Sequence, residues 1–163
     1  MLTKKIEKIL NEQIVKEGYS SNLYLAMASW ADTEGYAGIA QWLFAQAEEE
    51  RMHMMKFVNF INERGGHAIV PSFEEPPAKF DGIKVLFDQV LAHEQYISGS
   101  INDIVALAIV EKDFATHGWI QWFVTEQVEE EASVQTIIDK LKMLGEENMY
   151  LFDRDIMGLR GAE

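Results

Sequence analysis

Apolar side chains recur three and four residues apart through four long stretches of this chain, the spacing of helices packed along a common seam. Glycines and prolines punctuate the pattern. Thr3 is placed to cap a first helix over about 3–32, which should end before Gly35. A second, over about 37–64, meets Gly65-Gly66. All three prolines, Pro71, Pro76 and Pro77, fall in the connection 65–81. Asp81 is a suitable cap for a third helix over about 82–111. A fourth, over about 116–144, stops at Gly145, and a short one follows over about 146–158. Connections of a few residues make one hairpin of the first two helices and another of the next two. The long middle connection can return along the bundle, which lets the second and third helices run parallel. The expectation is an all-α, single-domain four-helix bundle over 1–163, with one long crossover connection and a short C-terminal fifth helix.

Each seam contains an acid. The first reads Leu10, Ile14, Glu17, Ser21, Tyr24, Ala28, Ala31, and the second Leu43, Gln46, Glu50, His53, Phe57, Phe60. The third reads Val90, Glu94, Ile97, Ile101, Ile104, Ala108. The fourth reads Ile120, Phe123, Gln127, Glu130, Val134, Ile137, Leu141, Leu144. All four glutamates lie near the middle of their helices. At a rise of about 1.5 Å per residue, an offset of two residues is only about 3 Å, so Glu17, Glu50, Glu94 and Glu130 can meet at one level. A buried carboxylate is costly unless it is paired or binds a metal. The pair Glu50-x-x-His53 is commonplace on a helix surface. Four helices each misplacing an acid at matched height are not, and that coincidence predicts a metal cluster.

Neighbouring residues have plainer readings. Tyr24 shares the face of Glu17 two turns on, as a core tyrosine with a bonded hydroxyl would. Gln127 reads as a buried amide. The runs Glu48-Glu49-Glu50 and Glu129-Glu130-Glu131 can turn only one or two members inward and leave the rest to solvent or to an acidic lining. His67, His93 and His117 lie off the seams and receive no role.

Composition narrows the chemistry. With no cysteine among 163 residues, thiolate zinc sites, iron–sulfur clusters and thiol catalysis are excluded. The ligands are then carboxylates, an imidazole and an amide, which suit iron(II), manganese(II) or magnesium better than copper, with zinc able to compete. Four carboxylates and a histidine exceed the needs of one divalent ion, so a pair of ions bridged by Glu50 and Glu130 fits the set. A net charge of −13 disfavours nucleic acid and favours the attraction of cations. The longest unbroken apolar run, Ile104 to Val110, is far too short for a membrane span. The first residues, Met1-Leu2-Thr3-Lys4-Lys5-Ile6-Glu7-Lys8, lack the apolar core of a signal peptide, so a cytoplasmic location is expected.

Bundles that hold paired metals commonly use a glutamate from each of two helices and Glu-x-x-His from each of the other two. Three of those parts are present. The fourth helix departs, with Gln127-Val128-Glu129-Glu130 and no histidine, which predicts unequal halves. Four stretches together resemble the bacterial non-haem ferritins. They are Glu17-Gly18-Tyr19-Ser20-Ser21-Asn22-Leu23-Tyr24, Glu49-Glu50-Arg51-Met52-His53, His93-Glu94-Gln95, and Trp122-Phe123-Val124-Thr125-Glu126-Gln127-Val128-Glu129-Glu130-Glu131.

The resemblance spans nearly the whole chain and implies a ferritin-like fold and a hollow shell of 24 subunits. It implies iron(II) oxidation at an intrasubunit di-iron centre, by dioxygen or hydrogen peroxide, with ferric mineral stored inside. It assigns the first iron to Glu17, Glu50 and His53, and the second to Glu50, Glu94 and Glu130 with Gln127 close by. A third iron site is implied at Glu49, Glu126, Glu129 and Glu130, and a redox or hydrogen-bonding role for Tyr24. In such proteins the short last helix, with Met149, Phe152, Ile156 and Leu159 on one strip, lines a fourfold contact.

A haem-binding relative would place a methionine directly after Glu50, where Arg51 stands, so no haem is expected. A rubrerythrin-type peroxidase would add a cysteine-ligated iron domain. A small DNA-protecting ferritin would build its site between subunits. The reading from another class is a non-catalytic helical scaffold whose buried acids are conformational devices.

Overall fold

Four long helices and a short tail make up the computed structural model, which describes residues 1–160. Residues 161–163, included in the expected single domain, lie outside the described residues. The helices are α1 (Lys4–Thr33), α2 (Ala37–Glu63), α3 (Ile83–Val110), α4 (Phe114–Leu144) and α5 (Met149–Asp155). Short 3₁₀ turns, Glu146–Asn148 and Ile156–Leu159, flank α5, so the tail is three short pieces where one helix over 146–158 was expected.

Local chemistry sets the helix ends. Thr3 Oγ1 accepts from the Ile6 amide and starts α1. At its other end Gly35 takes φ +90°, its N–H reaching Asp32 while the Tyr36 N–H reaches Ala31, a Schellman turn. The α2 end repeats the motif with Gly65 at φ +74°. The α3 end repeats it again, but with Lys112 in the left-handed position at φ +55°. Asp113 then caps α4 through the Thr116 amide, so the helix begins at Phe114, two residues before the expected start. The expected cap at Asp81 is not observed. Gly82 holds that position at φ +111°, because Phe80 is buried against Trp30 at 5.6 Å and the chain must turn sharply into α3.

Contacts between helix ends give the topology. Leu2 N–H bonds to Arg64 O, bringing the start of α1 to the end of α2. Lys5 pairs with Glu111, and Arg64 with Asp113, so α2 and α3 finish at the same end and run parallel. The crossover connection returns along α1. Asn11 bonds to His67 and Ile69, Phe73 lies over Gly18, and Phe80 reaches Trp30.

The core is in two parts. One, toward the tail, packs Met27, Leu43, Phe87 and Val134 with Phe152 and Ile156. The other packs Leu10, Phe57, Ile101 and Phe123. A layer of polar side chains lies between them. Among the seam positions read from the sequence, all are buried except Ser21 and Leu144, which are half-buried.

Candidate metal centre

Each long helix delivers its seam acid to the polar layer. Glu17, Glu50 and Glu94 are each 1% exposed and Glu130 6% exposed, with His53 at 2% beside them. Close passage of the crossover connection over α1 at this level depends on Gly18. A Cβ there would lie 2.2 Å from Phe73 Cε1 and 3.0 Å from Met54 Sδ.

Glu17, Glu50 and His53 are the tightest grouping. One donor atom from each lies within 4.8 Å of the others. His53 Nδ1 stands 3.5 Å from Glu50 Oε2 and 4.0 Å from Glu17 Oε2. Glu17 Oε1 accepts from Gln13 Nε2 at 2.8 Å. Yet Glu17 Oε2 and Glu50 Oε2 are buried without any hydrogen-bond partner. Natural interiors rarely leave such acceptors orphaned.

Glu94 and Glu130 are held differently. The Tyr24 hydroxyl donates to Glu94 Oε1. Gln127 Nε2 donates to Glu94 Oε2 at 3.1 Å and to its backbone carbonyl at 3.2 Å. Gln46 Nε2 donates to Glu130 Oε2 at 2.7 Å.

Burial and mutual repulsion favour protonated acids. Burial, opposed by hydrogen bonds from Gln13 and Glu50, raises Glu17 to about 7. Glu50 is driven well above the usual carboxylate range by burial, then by the charges of Glu94, Glu17 and Glu130. Burial with the charges of Glu94 and Glu49 pushes Glu130 up to about 9. Burial also raises Glu94, although Tyr24 and Gln127 counteract it. His53 is lowered to about 4 by burial and nearby Lys56, so its imidazole is neutral with a lone pair available. A cation entering this layer replaces protons on the acids and meets a histidine already in ligand form.

The acidic neighbours divide. Glu126, half-buried, groups with His53 and Glu130 within 4.8 Å. Glu49 is taken by Arg160, whose Nη2 donates to its Oε2 at 2.6 Å. Glu129 is exposed and belongs to neither metal-capable group among the described residues.

Three participants were not legible as such in the sequence. Gln13 lies one position off the α1 seam, and only its i,i+4 spacing to Glu17 signals the contact. His93, which received no role, is placed behind Tyr24. Its ring meets the tyrosine edge-on at 5.8 Å, and its Nε2 is 2.7 Å from Ser20 Oγ. Arg160 arrives from the tail, and no local pattern announces it.

The ferritin-like domain profile matches residues 7–144. A bacterial non-heme ferritin of Campylobacter jejuni is 40% identical over 161 residues, covering 98% of this chain and 96% of that protein. A probable bacterial non-heme ferritin-like protein of Haemophilus influenzae is 38% identical, with 98% of each chain covered. Among solved structures, an open pore ferritin from Archaeoglobus fulgidus superposes with a TM-score of 0.94 at 41% identity, covering 98% of each chain. A humanized archaeal ferritin gives a TM-score of 0.95 at 38% identity, covering 100% of this chain and 99% of that one.

Proposed function

The chain belongs to the ferritin family, and on that premise we propose that it oxidises iron(II) in the buried polar layer and stores the ferric product inside a shell of its own copies. The observation that carries this reading is the pair of orphaned oxygens, Glu17 Oε2 and Glu50 Oε2, facing a neutral His53. Two buried acceptors and an imidazole lone pair in one pocket suit a divalent cation, which would replace the protons that burial favours on these acids. The scaffold reading leaves those oxygens unexplained.

Iron is substrate here. Glu17, Glu50 and His53 hold the first ion, and Glu50, Glu94 and Glu130 the second, with Gln127 steadying Glu94. Glu50 is the shared ligand. Each iron(II) gives up one electron, and the pair reduces one dioxygen, with two protons, to hydrogen peroxide. Hydrogen peroxide can itself serve as oxidant in place of dioxygen. Tyr24 positions Glu94 and stands close enough to exchange an electron or proton with the centre. Glu49, Glu126, Glu129 and Glu130 form the region in which a third iron would be sought.

The assembly reading is a homo-oligomer, a shell of 24 subunits by family, with iron as the only other partner and with neither haem nor nucleic acid. Exposed apolar side chains such as Val110, Phe114, Met143 and Tyr150 supply surface for contacts between copies. No helix among the described residues is long and apolar enough to cross a membrane. The proposed site of action is the cytoplasm.

Admitting air to protein loaded anaerobically with iron(II) tests the reading. Rapid growth of ferric absorbance is expected, abolished in Glu94→Ala and in His53→Ala. Oxidation at the buffer rate, or a stable monomer by light scattering, would sink it.

A further inference from the structure

We propose that Arg160 is the resident counter-cation of Glu49, so that the Arg160–Glu49 pair and a metal ion at Glu49 exclude one another. The inference rests on the paired-ion reading above and limits it. With Arg160 in place, the layer takes two ions per chain.

The tail is steered onto α2 at three points. Phe152 and Ile156 bury themselves in the core on that side. Asp153 Oδ1 accepts from the Ile39 amide at 2.8 Å, satisfying a free donor in the first turn of α2, whose own cap residue Tyr36 offers none. Gly38 lets the two backbones meet, since a Cβ there would lie 1.8 Å from the Asp153 carbonyl oxygen. With the tail so fixed, Arg160 lands beside α2, its guanidinium 5.8 Å from the Trp42 ring. Nη2 donates to Glu49 Oε2 at 2.6 Å, while Nη1 donates to Gln46 Oε1 at 3.4 Å and to the Trp42 carbonyl at 3.3 Å.

Two features make this contact part of the centre. Gln46 accepts from Arg160 at one end of its amide and donates to Glu130 from the other. Glu49 lies near enough for its charge to raise both Glu130 and Glu94. Glu49 is outside the His53, Glu126 and Glu130 grouping as it stands, so its carboxylate would have to swing toward that grouping to serve as a further ligand. The guanidinium removes that option. The side chains of Arg160 and Glu49 are only 18% and 17% exposed, and Arg160 holds Glu49 Oε2 at 2.6 Å in a charge-assisted bond that a swinging carboxylate would have to give up. A divalent ion must break the pair and then tolerate a fixed positive charge beside it.

The test counts bound cobalt(II) by calorimetry under anaerobic conditions, which avoids any redox step. The parent chain is expected to take up two per chain, Arg160→Gln three, and Arg160→Lys two. Glu49→Gln in the Arg160→Gln background should restore two. A merely structural role for Arg160 would weaken the first two ions and add none. Three ions in the parent, or two in Arg160→Gln, overturns the inference while leaving the paired-ion reading intact. A parent that binds no cobalt overturns both.

Discussion

Glu17 and Glu50 of the α1–α2 hairpin each keep a buried oxygen with no donor, whereas in the α3–α4 hairpin Glu94 has both oxygens engaged and Glu130 accepts from Gln46. The two hairpins are otherwise alike, each closed by a Schellman turn and each bringing a seam acid from both of its helices to one level. A buried unsatisfied acceptor costs about 1–3 kcal/mol. The first hairpin bears that cost, which a bound cation would relieve under the proposed function. In the second, tyrosine and amide groups already do part of a cation's work, so an ion must displace or share those bonds. The difference implies unequal affinity, with the first ion settling at Glu17, Glu50 and His53. Gln127 of α4 supplies one of those bonds, and Tyr24 of α1 and Gln46 of α2 supply the others.

The most severe way to erase the contrast is to remove the residue common to both halves. Glu50→Ala should slow iron(II) oxidation more than about 100-fold, beyond the ~10–100-fold lost when only an outer partner of a ligand is removed. Single-sided changes should then separate the halves. By equilibrium dialysis, Glu94→Ala should keep one tightly held cobalt per chain, while Glu17→Ala should keep none of comparable affinity. Equal losses would mean that the halves are equivalent and the hydrogen-bond argument is wrong.

Metal-free stability should carry the same contrast into pH. A carboxyl whose pKa is raised by folding binds more protons folded than unfolded, so its contribution is present below about 4.5 and fades as pH rises. Glu17 spends its window below about 7 and Glu130 extends to about 9. His53, lowered to about 4, acts oppositely but only below about 6.5, where the unfolded imidazole takes up a proton. Stability in chelator should therefore fall between pH 7 and 9, by up to about 1.4 kcal/mol per pH unit for each proton retained. Glu130→Gln should flatten that limb in denaturant titrations, and Glu17→Gln should act mainly below pH 7. Stability rising from pH 7 to 9 would contradict the assignment.

The smallest test concerns the links. Gly35 and Lys112 hold matching left-handed positions after α1 and α3, but only the lysine has a Cβ to strain there. Lys112→Gly should raise stability by about 1 kcal/mol, read as a shifted denaturation midpoint with an unchanged slope. No shift would mean that the α3–α4 link is as relaxed as its counterpart.

Much of this molecule is legible in the chain because its signals are periodic. Seam spacing depends only on the helical repeat, so Glu17, Glu50, His53, Glu94 and Glu130 were readable as one inward-facing set from rise and face alone. The Thr3 cap and the Gly35 and Gly65 stops were readable too, being short-range chemistry written in adjacent residues. Asp81 misled for the complementary reason. It is a good cap locally, but burial of Phe80 on Trp30 sets where the chain can turn, and Gly82 makes the turn. Lys112 left no glycine to read.

Tertiary structure alone decided which oxygens stay unpartnered and which acidic neighbour is already occupied. Glu48, Glu49, Glu126 and Glu129 look equivalent as letters. Glu49 differs because Arg160, 111 residues away, is brought to it by Gly38, Asp153 and two buried side chains of the tail. Sequence periodicity determines which face a side chain takes. It holds no record of what a distant segment will set against that face, since such contacts depend on how whole helices dock.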